Sequence, residues 1–130
     1  VEFSWSLSTR LVIGGWGGLS KVTTLSSLEG QLERGTQDIW NWAVTLAFPD
    51  LGKEGNLAGI IVGMEPWVSS SSIDVLGKDE DISLHVEAFY QYQITDNIAV
   101  TPGIVWITAP DNNNNNDDLV IGAIRTTFSF

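Results

Sequence analysis

Apolar and polar residues alternate with a period of two through most of this chain. The opening run Val1-Glu2-Phe3-Ser4-Trp5-Ser6-Leu7-Ser8 does so without a break. Such alternation places one set of side chains on each face of a β-strand. Followed to the end, the pattern predicts about six strands, near Glu2–Gly15, Ile39–Phe48, Leu57–Trp67, Ile82–Gln93, Ile98–Thr108 and Leu119–Phe130. The connections between them alternate in length. Gly17–Asp38, Val68–Asp81 and Ala109–Asp118 are long, Pro49–Asn56 is shorter, and Thr95-Asp96-Asn97 is tight. Long loops would then share one end of the sheet, and short turns would share the other with both chain termini. An antiparallel up-and-down meander with that asymmetry is the habit of transmembrane β-barrels. The expected fold class is therefore all-β, with residues 1–130 forming one portion of a barrel wall.

Each strand has an apolar parity and a mixed one. The ionisable residues inside the strands, Arg10, Glu65, His85, Glu87 and Arg125, all take the mixed parity. A charge facing lipid near the midplane costs roughly 2–4 kcal/mol for Arg or Lys, so these five are the candidate pore-lining residues. The aromatics of the apolar parity sort by position along the strand. Phe3, Trp5, Phe48, Tyr90, Tyr92 and Phe128 lie near the short turns, whereas Trp40, Trp42 and Trp106 lie near the long loops. Aliphatic residues such as Val44, Leu46, Ile60, Val62 and Val86 fill the space between. Two aromatic girdles around an aliphatic band are expected where rings sit at the headgroup level of a bilayer. Trp16, Trp67 and Phe89 break the parity. Pro102 interrupts a strand and predicts an edge or a bulge, which the adjacent Gly103 favours.

Composition narrows the classes. The 130 residues carry a formal charge of -10 and no Cys. That leaves no disulfide framework and no thiolate metal site. The acidity argues against a nucleic-acid partner. No apolar run approaches the ~18 residues of a membrane-spanning helix. The chain opens on Val1 and has its one Met at position 64, so a longer parent is expected. Leu25–Arg34 has a weak helical look, with Ser27 as a cap and Glu29 and Glu33 one turn apart. Ser69–Ser72 reads as polar loop, and Asn112–Asn116 as low-complexity sequence with no structure of its own.

Two segments carry a resemblance: DIWNWAVTLAFPDLGKEGNLAGIIVGMEP over Asp38–Pro66, and LHVEAFYQYQITDNIAVTPGIVWITAPDNNNNNDDLVIGAIRTTFSF over Leu84–Phe130. A tight turn, a Pro-Gly strand, a Pro-Asp-Asn loop and a terminal Phe make the chain resemble the cyanobacterial outer-membrane porins called iron-uptake porins, which are related to carbohydrate-selective porins. The resemblance implies a wide barrel of about sixteen strands, of which this chain matches the C-terminal part. The rest of the wall comes from the same chain or from another polypeptide, because a barrel needs about eight strands to close. The resemblance further implies outer-membrane lipid and the barrel-insertion machinery as partners, with a homotrimer among the assemblies it allows. Phe130 would be the insertion signal. Passive diffusion of small hydrophilic solutes is the expected function, with inorganic ions including iron as solutes.

Nothing points to an enzyme or a cofactor. Glu65 and Glu87 lack an accompanying nucleophile motif, and His85 has no partner at metal-ligand spacing. Asp111–Asp118 lacks the Gly and terminal Glu of a defined calcium loop. The rival reading is a soluble, acidic β-sandwich that binds carbohydrate on its Trp residues. It explains the charge and the strands but not the loop alternation or the terminal Phe.

Phe130→Ser is expected to lower the insertion yield of the full-length protein several-fold while leaving the conductance of each inserted pore unchanged. A normal yield, measured as protein resident in the outer membrane, would remove Phe130 as a targeting signal.

Overall fold

The computed structural model describes residues 1–25, 34–74 and 76–130. The segment read as weakly helical, with Ser27, Glu29 and Glu33, lies outside the described residues. Seven strands form one open antiparallel sheet in sequence order: β1 (Glu2–Ser8), β2 (Leu11–Thr24), β3 (Gly35–Pro49), β4 (Leu57–Ser71), β5 (Leu84–Thr95), β6 (Ile98–Ile107) and β7 (Leu119–Phe128). Among the described residues the only helical turn is the 3-10 segment Pro110–Asn112.

The expected first strand is a hairpin. The chain reverses at Thr9-Arg10, and β1 pairs back onto β2 with Trp5 opposite Ile13 and Ser8 opposite Leu11. A two-residue turn alone would swap odd and even positions between faces. The bulge at Leu7, between the Ser6 and Ser8 pairs, swaps them back. Odd residues therefore stay apolar on both arms, and the alternation ran on through a reversal it could not reveal. Two corrections follow. Arg10 lies in the turn rather than inside a strand. The N-terminus lies away from the short-turn end, where Val1 exchanges 2.8 Å backbone hydrogen bonds with Gly17.

The register is sheared. Trp5, Ile13, Leu46, Ile60, Ala88, Ile104 and Gly122 form one continuous row across the sheet. Ile13 is two residues above Leu11, where β2 leaves its short turn, but Ile104 is six residues above Ile98, where β6 does. The gain is one residue per strand. With the short turns level, a rise of about 3.3 Å per residue and a strand spacing of about 4.8 Å give a tilt of about 35°. That is the tilt of strands in a closed barrel.

Two irregularities in β4 correct the sequence reading. Asn41 of β3 faces both Glu65 and Pro66, since Trp40 pairs with Trp67 and Trp42 with Met64. This bulge turns Trp67 to the apolar face, beside Trp40, and so removes one parity exception. Ser69, Ser70 and Ser71 continue β4 rather than forming a loop. Pro102, by contrast, causes no bulge. Its ladder to β5 lapses between the Phe89–Gly103 and Tyr92–Val100 pairs, and the register is the same on both sides.

The β4–β5 and β6–β7 connections are tied down at their described residues. Ile73 and Ser83, at the ends of the β4–β5 loop, are fully buried. The β6–β7 loop is fastened to that loop by asparagines. Asn112 Oδ1 accepts from Ser83 N at 3.0 Å, and its Nδ2 donates to Asp79 Oδ2 at 3.2 Å and to Pro66 O at 3.3 Å. Asn114 N donates to the Asp81 carboxylate at 2.9 Å. Asp118 accepts from Trp106 Nε1 at 3.0 Å. The Asn-rich run thus has a defined structure, against the sequence expectation. Its amides serve as donors to acids supplied by the neighbouring loop, a role that composition alone does not disclose.

No core closes over this sheet. The chain exposes 9109 Å², against about 6,800 Å² for a compact soluble protein of this mass. A β-sandwich needs a second sheet, and the described residues form one.

Asn112→Ala would leave Ser83 N buried without an acceptor, at a cost of about 1–3 kcal/mol. Protease cleavage within residues 108–118 of the folded full-length protein is expected to rise several-fold. Unchanged cleavage would show that the asparagine does not hold the loop.

Candidate pore-lining face

The ladder places side chains on two faces. On the apolar face the row Phe3, Gly15, Val44, Val62, Val86, Trp106 and Val120 runs beside the row of Trp5 and Leu46. Ile104 and Ile124 are exposed there, at 52% and 77%. The aromatics spread by height. Phe48, Trp5 and Tyr92 lie within three residues of their short-turn ends, Phe3 and Tyr90 five residues in, and Trp42, Trp106 and Trp40 seven to nine residues in. The lower group is a graded band rather than a ring. Tyr90 is also tied to the turn at 50–56, since its hydroxyl donates to Leu51 O and accepts from Asn56 Nδ2, both at 2.8 Å. Asp50 takes a positive φ of 56° in that turn and caps Gly55 N through Oδ1 at 2.8 Å. Phe128 ends β7 opposite Ile98.

The opposite face is floored by small residues. Ala43 and Gly63 occupy one row between Trp16 and His85, and Gly59 and Gly103 flank Phe89 in another. Small side chains leave room for the sheet to curl toward this face. A Cβ at Gly59 would overlap the Phe89 ring, so the ring lies across that glycine. The register brings three of the sequence candidates together. Glu65, His85 and Glu87 border one hollow of about 350 Å³, together with Trp16 and Asn41. His85 Nε2 stands 3.4 Å from Glu87 Oε2, with both side chains about one-third exposed. Arg125 borders the adjoining hollow of about 580 Å³, which Glu87 shares. Arg10 is not with them. It lies at the short-turn end beside Asp50, Lys53 and Glu54.

This changes the charge balance of the wall. With Arg10 removed and Glu2 placed in the Trp16 row, the face carries Glu2, Glu65 and Glu87 against Arg125. Sequence reasoning treated Trp16 and Phe89 as parity errors. They are this face's aromatic residues, and their parity was the signal. Among the described residues, no three His, Asp or Glu side chains converge as a metal site would require.

A sheet with one bare apolar face and a mixed face that carries Glu65, His85, Glu87 and Arg125 is what a channel wall presents. The carbohydrate-selective porin family, OprB, matches residues 4–130. This chain belongs to that family. An uncharacterized protein of Nostoc sp. is 36% identical over 123 residues, 95% of this chain and 20% of the relative. An uncharacterized protein of Synechocystis sp. is 34% identical, over 97% of this chain and 25% of the relative. The chain thus spans about a fifth to a quarter of the length of the curated relatives it matches. No solved structure gives a significant match.

The chain lacks Cys, so single cysteines can report its faces. In a cysteine-free full-length porin, positions 85, 87 and 91 are expected to react with a membrane-impermeant thiol reagent, and positions 86 and 104 are not. Strong labelling at 86 and 104 would invert the assignment.

Proposed function

We propose that this chain forms the C-terminal part of the transmembrane barrel of an outer-membrane porin, through which small hydrophilic solutes diffuse passively. The observation that carries the reading is the sheared seven-stranded meander of an OprB-family chain, with its apolar face bare and Glu65 and Glu87 on the other. The apolar face meets lipid, with Trp40, Trp42 and Trp106 at one interface and Phe3, Trp5, Phe48, Tyr90, Tyr92 and Phe128 toward the other. The long loops face outward and the short turns inward, as in bacterial barrels generally. Strands β1 and β7 have free edges that the rest of the barrel pairs, and a homotrimer and the insertion machinery remain the partners we infer. The family description supports carbohydrate as solute. Inorganic ions, iron among them, pass by the same diffusion rather than by coordination to the wall.

The field in the conduit sets its ion preference. Glu65 and Glu87 within the wall, and Asp74, Asp79, Glu80, Asp81, Asp111, Asp117 and Asp118 near the long-loop mouth, enrich cations. Asp79 and Asp81 also fasten the loops, so their removal would mix electrostatic and structural effects. Glu65 and Glu87 are the cleaner probes.

Reversal potentials of the full-length porin under a KCl gradient test this reading. A cation preference is expected that fades as the Debye length shrinks from ~30 Å at 0.01 M to ~3 Å at 1 M. Glu65→Gln with Glu87→Gln should reduce it at low salt. Anion preference at low salt would refute the proposed field.

A further inference from the structure

We infer that His85 is a proton-operated switch on the cation preference of the conduit. This rests on the porin reading above and adds the regulation of the same face. His85 sits between two carboxylates. Glu87 lies two residues on along β5, and its Oε2 stands 3.4 Å from His85 Nε2. Glu65 comes from β4. Gly63 is opposite His85, and Glu65 N donates to Ser83 O at 3.1 Å, so Glu65 is the diagonal neighbour of the imidazole. Diagonal neighbours lie about 7 Å apart, within reach of long side chains. All three residues border the hollow of about 350 Å³.

The neighbouring strands leave these carboxylates as the nearest charges. In the row of His85, Gly63 and Ala43 lie on one side and Ile107 and Leu119 on the other. Ile61 and Val105 flank Glu87 in the next row. Trp16 and Asn41, which share the hollow, carry no charge. Glu2, opposite Trp16, is four strand spacings from His85, or about 19 Å. Arg125 borders the adjoining hollow with Glu87. At the long-loop end, Asp79 and Asp81 accept from Asn112 and Asn114, and Asp118 accepts from Trp106.

A carboxylate only accepts, so the contact with Glu87 favours the neutral ring that carries its proton on Nε2. A second proton enters at Nδ1 and turns the ring into a cation beside two anions. Between pH 8 and 5.5 an imidazole ordinarily gains this charge, whereas carboxylates and guanidinium groups ordinarily keep theirs. The wall carries Glu2, Glu65 and Glu87 against Arg125. One proton on His85 therefore halves its net negative charge. The His85 and Glu87 side chains are each about one-third exposed, so water in the conduit reaches them and the charge acts on passing ions. Cation preference is strongest above neutral pH and relaxes in acid.

The test uses the full-length porin in planar bilayers, with reversal potentials read under a dilute KCl gradient at pH 8 and pH 5.5. The ratio of potassium to chloride permeability is expected to fall about twofold in acid, the effect of one elementary charge acting through water at about 8 Å. The fall should reverse when pH 8 is restored. His85→Gln should hold the higher ratio at both pH values, and His85→Lys, charged throughout, should hold the lower one. If His85→Gln does not insert, His85→Asn carries the same expectation. In 1 M KCl, where the Debye length is ~3 Å, the pH effect should fade. A wild-type pore whose ratio is the same at both pH values overturns the switch and leaves the porin reading standing. A fall that survives in His85→Gln or His85→Asn places the titrating group elsewhere and also overturns it. So does a pH effect undiminished in 1 M KCl, which would mark a change of pore shape. Absence of any conductance from the wild-type protein overturns the porin reading and the switch with it.

Discussion

The antiparallel ladder is the constraint on which the rest of this structure depends. Side chains alternate along each strand, so once neighbouring strands pair in a fixed register, every residue is committed to one face. Six consecutive pairings carry that commitment from β1 to β7. Apolar rows then run across one face of the sheet, and rows of mixed character across the other. A slip of one residue between β4 and β5 would put Glu87 in the rows of Ile60 and Val62. In the proposed barrel the cost of a charge in lipid, a few kcal/mol, opposes such a slip, and on the other face the close contacts at Gly59 and Gly63 oppose it too.

Departures from regularity repair or use that commitment. The bulge at Leu7 restores parity after a two-residue turn, and the doubled pairing of Asn41 with Glu65 and Pro66 carries Trp67 to the outer face. The same β4 bulge sits at the rim of the hollow lined by Glu65. Local twist and re-aiming of side chains are what bulges supply. The shear of one residue per strand does the remaining work. It tilts the strands, and it sets Trp5 and Trp106 at different heights although they lie in neighbouring rows.

Beyond the strands, hydrogen bonding takes over from burial. Few apolar side chains are buried anywhere in the described chain. The β4–β5 and β6–β7 loops hold one another through Asp79 and Asp81 with the asparagines, and Asp118 accepts from the indole of Trp106. Acidity in these loops is therefore partly structural. Carboxylates that accept from amides stay in place while still contributing negative potential at the long-loop end.

The alternation by itself determined the all-β class, the meander, the long and short ends, and the faces of Glu65, His85, Glu87 and Arg125. These are local properties, since a period of two is written in consecutive residues. The tertiary structure alone decided the rest. Whether Leu11 continues a strand or returns along it depends on which residues it pairs with, and parity was the same in both cases. That single ambiguity moved Arg10 from the wall to a turn and placed Glu2 beside Trp16. Trp16 and Phe89 were legible as anomalies but not as members of a site, because their partners come from strands far away in sequence. Asn41, Glu65 and Glu87 meet only through the β3–β4–β5 register. The order of the asparagine loop was equally hidden, since an amide's partner is fixed by where another loop lies, and no composition or spacing encodes that position.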